Sequence, residues 1–325
     1  VNNSSTTAES GDYSYSPIGP NQLTFNGNGT QTISITINSD ADSDNESLVF
    51  DFSLNTSNVE LRNTQHTITV VDDEKPLIIT EIADPNNAES RRYVELYNPS
   101  TSSISLSGLY LIRWTNDNAS PTNSSAKKLS DLCGSTMEGN SFCILSNSST
   151  SDFRLTYGLV SDYDVGSGGV ADSNGDDQIA IVLSDVGSFD SSSYTILDIF
   201  GVPGEDGTNT GHEFEDGRAE RKSSSTTPSS SWNSSDWNVE NDTGLGGSAN
   251  NPQTAPNDYD PGYWIGAAGV DTWNGLSDTN WATAANWASD TIPASTDKVF
   301  IRESSYNPAI STGVPLSDLT ISSGG

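Results

Sequence analysis

The stretch from Leu77 to Trp114 repeats one pattern, and that pattern limits what the chain can fold into. Ile78, Thr80 and Ile82 alternate with Ile79 and Glu81, and further on Val94 and Leu96 alternate with Tyr93, Glu95 and Tyr97. A period of two is the mark of half-buried strands, and Asp84-Pro85-Asn86-Asn87 supplies the turn residues between them. Elsewhere Ser, Thr, Asn, Asp and Gly separate short apolar runs, and no segment sustains a helical period beyond about two turns. An all-β chain follows.

Charge excludes several partners. With 44 Asp+Glu against 13 Lys+Arg the formal charge is −31, a surface that repels phosphate backbones and anionic lipid and favours cations. Nucleic acid is therefore not an expected partner. Such acidity also occurs in disordered chains, but 7 Trp, 11 Tyr and 9 Phe are core-forming material. No apolar run reaches the roughly 18 residues of a membrane-spanning helix, so membrane insertion is not expected. Val1 is neither an initiator Met nor part of a signal peptide, so the sequence reads as a fragment or a processed product.

Residues 1–75 carry four strand-like runs, Gln22–Phe25, Thr32–Ile37, Leu48–Leu54 and His66–Val71. A sandwich needs about seven strands, which places the rest of this one upstream of Val1. The ordered pieces Ser10-Gly11-Asp12-Tyr13, Leu23-Thr24-Phe25, Thr32-Ile33-Ser34-Ile35, Asp44-Asn45-Glu46-Ser47-Leu48 and Thr67–Glu74 resemble the C-terminal part of a Calx-beta domain. The resemblance implies Ca²⁺ bound by loop carboxylates. Asp12 matches the family's S-D-Y aspartate, while Asp72 and Asp73 match its closing acidic run, where Glu74 stands in for a frequent third Asp. Asp40, Asp42 and Asp44 fall in its acidic loop, although the spacing to Glu46 departs from the family's. Ca²⁺ takes about 6–8 oxygens, which converging carboxylates can supply. The plainer alternative is that these acids only solvate the surface.

Residues 76–266 resemble a lamin-tail domain of the bacterial extracellular kind. The motifs are Ile79-Thr80-Glu81-Ile82, Tyr93–Pro99, Gly108–Trp114, Gly175-Asp176-Asp177, Ile196–Gly201, Glu205-Asp206-Gly207-Thr208, Phe214–Arg221 and Asp258-Tyr259-Asp260-Pro261-Gly262. The resemblance implies an immunoglobulin-like β-sandwich. Further strands are expected at Phe142–Leu145, Gln178–Leu183, Thr195–Phe200 and Trp237–Val239, with Ala219-Glu220-Arg221 in a polar segment.

Three features of this domain invite a chemical reading. Asp172-Ser173-Asn174-Gly175-Asp176-Asp177 starts like a calcium loop, but Leu183 stands where an EF-hand needs its bidentate Glu, so a turn is the better reading. His212 lies near Glu205, Asp206 and Asp216, yet no positioned nucleophile accompanies it. Cys133 and Cys143 are the only cysteines, close in sequence and without the partners a zinc site needs. A disulfide between them, and hence an oxidising extracellular address, is expected; the alternative is two reduced thiols in a cytosolic protein.

Residues 267–325 show a third pattern, with Trp273, Trp281 and Trp287 and strands at Lys298–Ile301 and Leu319–Ile321. It resembles the Trp-marked β-module of type IX-secreted bacterial surface proteins, and it stops in what reads as mid-repeat. The tryptophans suit core anchors better than a sugar-stacking platform. The expected architecture is thus all-β, tandem immunoglobulin-like β-sandwiches followed by a partial β-module. The expected role is a non-catalytic structural or adhesive segment of a large secreted or cell-surface bacterial protein, stiffened by calcium. Its expected partners are neighbouring modules of the same longer chain and a surface polysaccharide or protein. The alternatives are an accessory region of an extracellular nuclease or protease and a carbohydrate-binding module.

Overall fold

The structure, a computed structural model, describes the chain except residues 9–10, 17–22, 26, 39–45, 71–75, 123–124, 185–188, 268, 311–312 and 322–325. Strands predominate, and the chain divides into two compact units, Val1–Lys75 and Pro76–Gly325. Among the described residues no helix is long and apolar enough to cross a membrane.

In the first unit β1 (Tyr13–Ser16) pairs antiparallel with β2 (Ser34–Ile37), and β3 (Glu46–Asp51) pairs antiparallel with β4 (Gln65–Val70). Leu48, Val49 and Phe50 are buried, and Tyr15 meets the Phe50 ring edge-on at 5.7 Å. The strand expected over Gln22–Phe25 does not form at Leu23–Phe25, where Phe25 is exposed. Tyr13–Ser16 forms one instead, because the alternation of Tyr13 and Tyr15 with serines gives it a face to turn inward.

The second unit opens with β5 (Ile78–Ala83), β6 (Tyr93–Asn98), β7 (Ile104–Ser105) and β8 (Leu109–Trp114). After β9 (Lys127–Lys128) come helix α1 (Leu129–Leu132), β10 (Thr136–Met137) and β11 (Ser141–Ser146). Helix α2 (Thr150–Tyr157) starts where the Ser149 side chain accepts from the Asp152 amide and ends at Gly158, whose φ of 85° suits a glycine. Then follow β12 (Tyr163–Asp164), β13 (Gln178–Leu183), β14 (Thr195–Phe200), β15 (Arg218–Arg221), β16 (Trp237–Asn241) and β17 (Ala249–Asn250).

These strands build two facing sheets. One has the order β12-β11-β6-β5-β15-β16-β17 and the other β14-β13-β8-β9. Leu77, Ile79, Val94 and Leu96 from the first meet Leu109, Leu111, Ile179 and Ile181 from the second in one core, with Phe200, Phe214 and Trp237. The segment at Ala219-Glu220-Arg221, expected as merely polar, is a central strand of the larger sheet. Across the core, Arg221 pairs with Asp198 at 2.5 Å, and Asp198 also accepts from the Ile79 amide at 2.8 Å.

The outer face of the larger sheet is covered as well, so β5, β6 and β11 are buried at every position rather than half-buried. Its cover comes from α2 and from residues far along the chain. Phe153, Tyr157, Ala255 and Tyr259 pack on Tyr93 and Ile144, while Trp264, Val270 and Phe300 pack on Ile78, Tyr97 and Phe142.

The chain ends in three parallel strands, β18 (Val270–Trp273), β19 (Lys298–Ile301) and β20 (Asp318–Ile321). Trp273, Trp281 and Trp287 are buried against Val299 and Ile301, as core anchors should be. Two of their indole N–H groups donate to backbone, Trp273 to Tyr306 at 2.7 Å and Trp287 to Trp281 at 3.0 Å. This segment belongs to the same compact unit as the sandwich, to which Arg302 ties it through Asp162 (2.6 Å) and the Phe142 carbonyl (2.7 Å).

Candidate functional site

The register of three strands sets a row of acids on the covered face of the larger sheet. Glu95 on β6 stands opposite Glu81 on β5, and Glu220 on β15 stands opposite Glu81 from the other side. One cation answers them. Arg218 reaches Glu81 at 3.2 Å and Asp260 at 2.9 Å, with Glu220 and Glu240 each 3.7 Å away. The Tyr93 hydroxyl donates to Glu81 at 2.5 Å. Glu95 accepts from the Thr80 hydroxyl at 2.7 Å and from the Gly262 amide at 2.6 Å. Gly262 has a φ of 91°, and a Cβ there would lie 2.9 Å from Thr272, so only glycine brings this amide so close to Glu95.

Burial outweighs the single arginine. It pushes Glu81 up to about 8 against the pull of Arg218, and it holds Glu95 well above the ordinary carboxylate range with Glu81 adding to the rise. Asp260 is raised by burial to about 6 despite Arg218. Burial opposes the charge of Arg218, but Glu81, Asp260 and Glu220 together hold it on. Acids with such values are candidates for proton transfer near neutral pH. Glu81 and Glu95 are nevertheless shut from solvent, and only Asp260 and Arg218 reach a cleft of about 530 Å³.

Other acids that drew attention are tied down. Asp172 bonds Arg92 at 3.0 Å and Asn147 at 2.7 Å, and Asp177 bonds Arg113 at 2.9 Å, so the loop Asp172–Asp177 is a braced turn. His212 is buried, with Nδ1 3.0 Å from the Thr210 hydroxyl and 3.8 Å from Glu205. Because the Thr210 proton goes to the Gly207 carbonyl at 2.7 Å, His212 Nδ1–H is the donor of that pair and Nε2 keeps its lone pair. Burial lowers the pKa of this imidazole.

Of the calcium set, Asp12 is buried in the turn before β1, and its carbonyl accepts from the Asn38 amide at 2.7 Å. Asp40, Asp42, Asp44, Asp72, Asp73 and Glu74 lie outside the described residues. Among the described residues no group of three or more His, Cys, Asp or Glu is placed to hold a metal ion. Cys133 and Cys143 are bonded to each other with Cα atoms 5.8 Å apart, joining the end of α1 to the middle of β11.

Sequence reasoning missed Glu81, Glu95, Arg218 and Asp260 as a group. The available signal was a glutamate at the middle of each of two neighbouring strands whose other residues are almost all apolar or aromatic. No family model matches the chain, and no curated protein matches it. A solved structure of a DUF4876 family protein from Bacteroides thetaiotaomicron is similar at 14% identity, over 45% of this chain and 52% of that one, with a TM-score of 0.23. The chain thus spans about half the length of that protein.

Proposed function

We propose that the chain is a non-catalytic structural or adhesive segment of a larger secreted or cell-surface bacterial protein. In this reading the first unit is the C-terminal part of a Calx-beta domain stiffened by Ca²⁺. The second unit is a lamin-tail domain with the Trp-marked module docked on it. One observation carries the reading: the two fully buried acids of the row, Glu81 and Glu95, spend their oxygens on Arg218, Tyr93, Thr80 and the Gly262 amide, within the seam where residues 255–264 cover the sheet. An acid so engaged joins two parts of a fold; a catalytic acid must meet a substrate. The disulfide suits an oxidising compartment, and the surface charge suits neither nucleic acid nor anionic lipid.

Limited proteolysis tests the joining role, and residues 76–325 are expected to survive as one fragment. Early cleavage within 250–263 would count against it. Assays with DNA, casein and polysaccharides test the absence of catalysis. Turnover lost on Glu81→Gln or Asp260→Asn would overturn the reading.

A further inference from the structure

The cleft above Arg218 lies between the exit segment at 256–263 and the turns around Trp273 and Trp287, and its volume of about 530 Å³ is within the range of about 300–1,000 Å³ usual for small-molecule sites. Its lining is of two kinds. Leu276 offers an exposed apolar surface, and the half-buried Tyr263 ring adds a flat one. Around them stand Asn257, Ser277 and Asp290. Asn257, Ser277 and Asp290 are exposed, and Tyr263 is half-buried. This cleft therefore presents exposed donors and acceptors beside apolar faces, unlike the acid row beneath it, whose oxygens are bonded within the fold.

We infer that this cleft binds a neutral carbohydrate. A pyranose carries apolar C–H faces and a rim of hydroxyls that both donate and accept, which matches a tyrosine and a leucine ringed by an amide, a hydroxyl and a carboxylate. Asp258, Asp260 and Asp290 line the same cleft with Arg218 as the one cation, so uronic acids and sulfated sugars are disfavoured. The cleft shares Arg218 and Asp260 with the seam, but Tyr263, Ser277 and Asp290 take no part in the bonds of the acid row, so sugar binding and the joining role can be tested apart.

The test uses the whole chain. Cello-, xylo-, manno- and malto-oligosaccharides are titrated against it calorimetrically, followed by Tyr263→Ala, Ser277→Ala and Asp290→Asn. The last keeps a residue type that tolerates the φ of 54° at that position. Binding of at least one series is expected, weakened about tenfold or more by Tyr263→Ala and by Asp290→Asn, as losing one good contact at a bound ligand implies. Melting temperatures of these variants should stay at the parent value, which separates a lost contact from a lost fold. Three results would overturn the inference: no binding by any series at millimolar sugar, binding unchanged in all three variants, or binding of acidic sugars or basic peptides in place of neutral ones.

Discussion

Glu81 and Glu95 face each other directly across the antiparallel pair β5–β6, on a sheet face closed to water. Like charges opposite one another weaken a strand pair, and burial adds the cost of an ion without its hydration. The fold answers with Tyr93, Thr80, the Gly262 amide and Arg218, and by holding on to protons. A seam of this kind is sensitive to pH and to the loss of its one cation.

Stability should fall as the solution becomes alkaline. Glu81 rises from its ordinary value of 4.5 to about 8 in the fold, so the unfolded chain gives up this proton first. A group raised in the folded state contributes in full below about pH 4.5 and loses that contribution as pH climbs toward 8. Glu95, raised by burial and by Glu81, acts in the same direction. The limiting slope is about 1.4 kcal/mol per pH unit for each proton. Urea midpoints of the parent between pH 4.5 and 8 should therefore decline relative to those of Glu81→Gln. In that variant the amide oxygen still accepts from Arg218 while its NH2 donates to the Tyr93 oxygen. Parallel curves would show that Glu81 keeps an ordinary pKa.

Arg218 should be the costliest side chain of the seam to remove. Arg218→Ala leaves Glu81, Asp260, Glu220 and Glu240 facing one another without a cation, and breaking a buried pair from one side typically costs about 3–5 kcal/mol. Combining it with Glu81→Gln should recover part of the loss, since a glutamine needs neither the cation nor the proton that Glu81 must otherwise take up on folding. Denaturant titration of the two single variants and the double gives the coupling directly, and strictly additive losses would dissociate the two residues.

The sheet was legible in the sequence and the acid pair was not. Period two places Glu95 on the side of Tyr93 and Tyr97, away from Val94 and Leu96, and that placement holds in the structure. Alternation normally turns such a side to water, however, and here Tyr259, Trp264 and Phe300 close it from far along the chain. The cation is equally remote, since Arg218 lies 137 residues from Glu81. Arg218–Arg221 reads as polar because its alternate residues Arg218 and Glu220 serve this covered face, while Ala219 enters the core. Local pattern thus fixes the facing on β6, but on β5 a register shift between Ile79 and Glu81 breaks the alternation, so that Ile79 and Ile82 share the core while Ile78 and Glu81 turn to the covered face.

The disulfide should matter to stability and not to the fold. Cys133 and Cys143 close a loop with a sequence separation of 10, for which loop entropy gives about 3 kcal/mol. Reduction followed by alkylation under mild denaturant, or Cys133→Ser with Cys143→Ser, should lower the urea midpoint by a corresponding amount. The far-ultraviolet spectrum should keep its β character. A midpoint that does not move would mean that the unfolded chain already holds these two residues close together.

Calcium should raise the stability of the first unit. The expectation rests on the Calx-beta resemblance, which assigns ligands to Asp12, Asp40, Asp42 and Asp44 and to Asp72, Asp73 and Glu74. Without an ion, carboxylates brought within a few ångströms of one another repel, at about 1 kcal/mol per pair even in water. With one, binding to the folded form alone adds about 2.7 kcal/mol at a hundredfold excess over Kd. Calorimetric scans of the whole chain in millimolar calcium and in chelator should move the transition belonging to residues 1–75 and leave that of 76–325 in place. Asp72→Ala with Asp73→Ala should abolish the difference while raising the transition in chelator, because two of the mutually repelling carboxylates are then gone. Identical scans in calcium and in chelator would reduce the acids of the first unit to surface charge, with no ion bound among them.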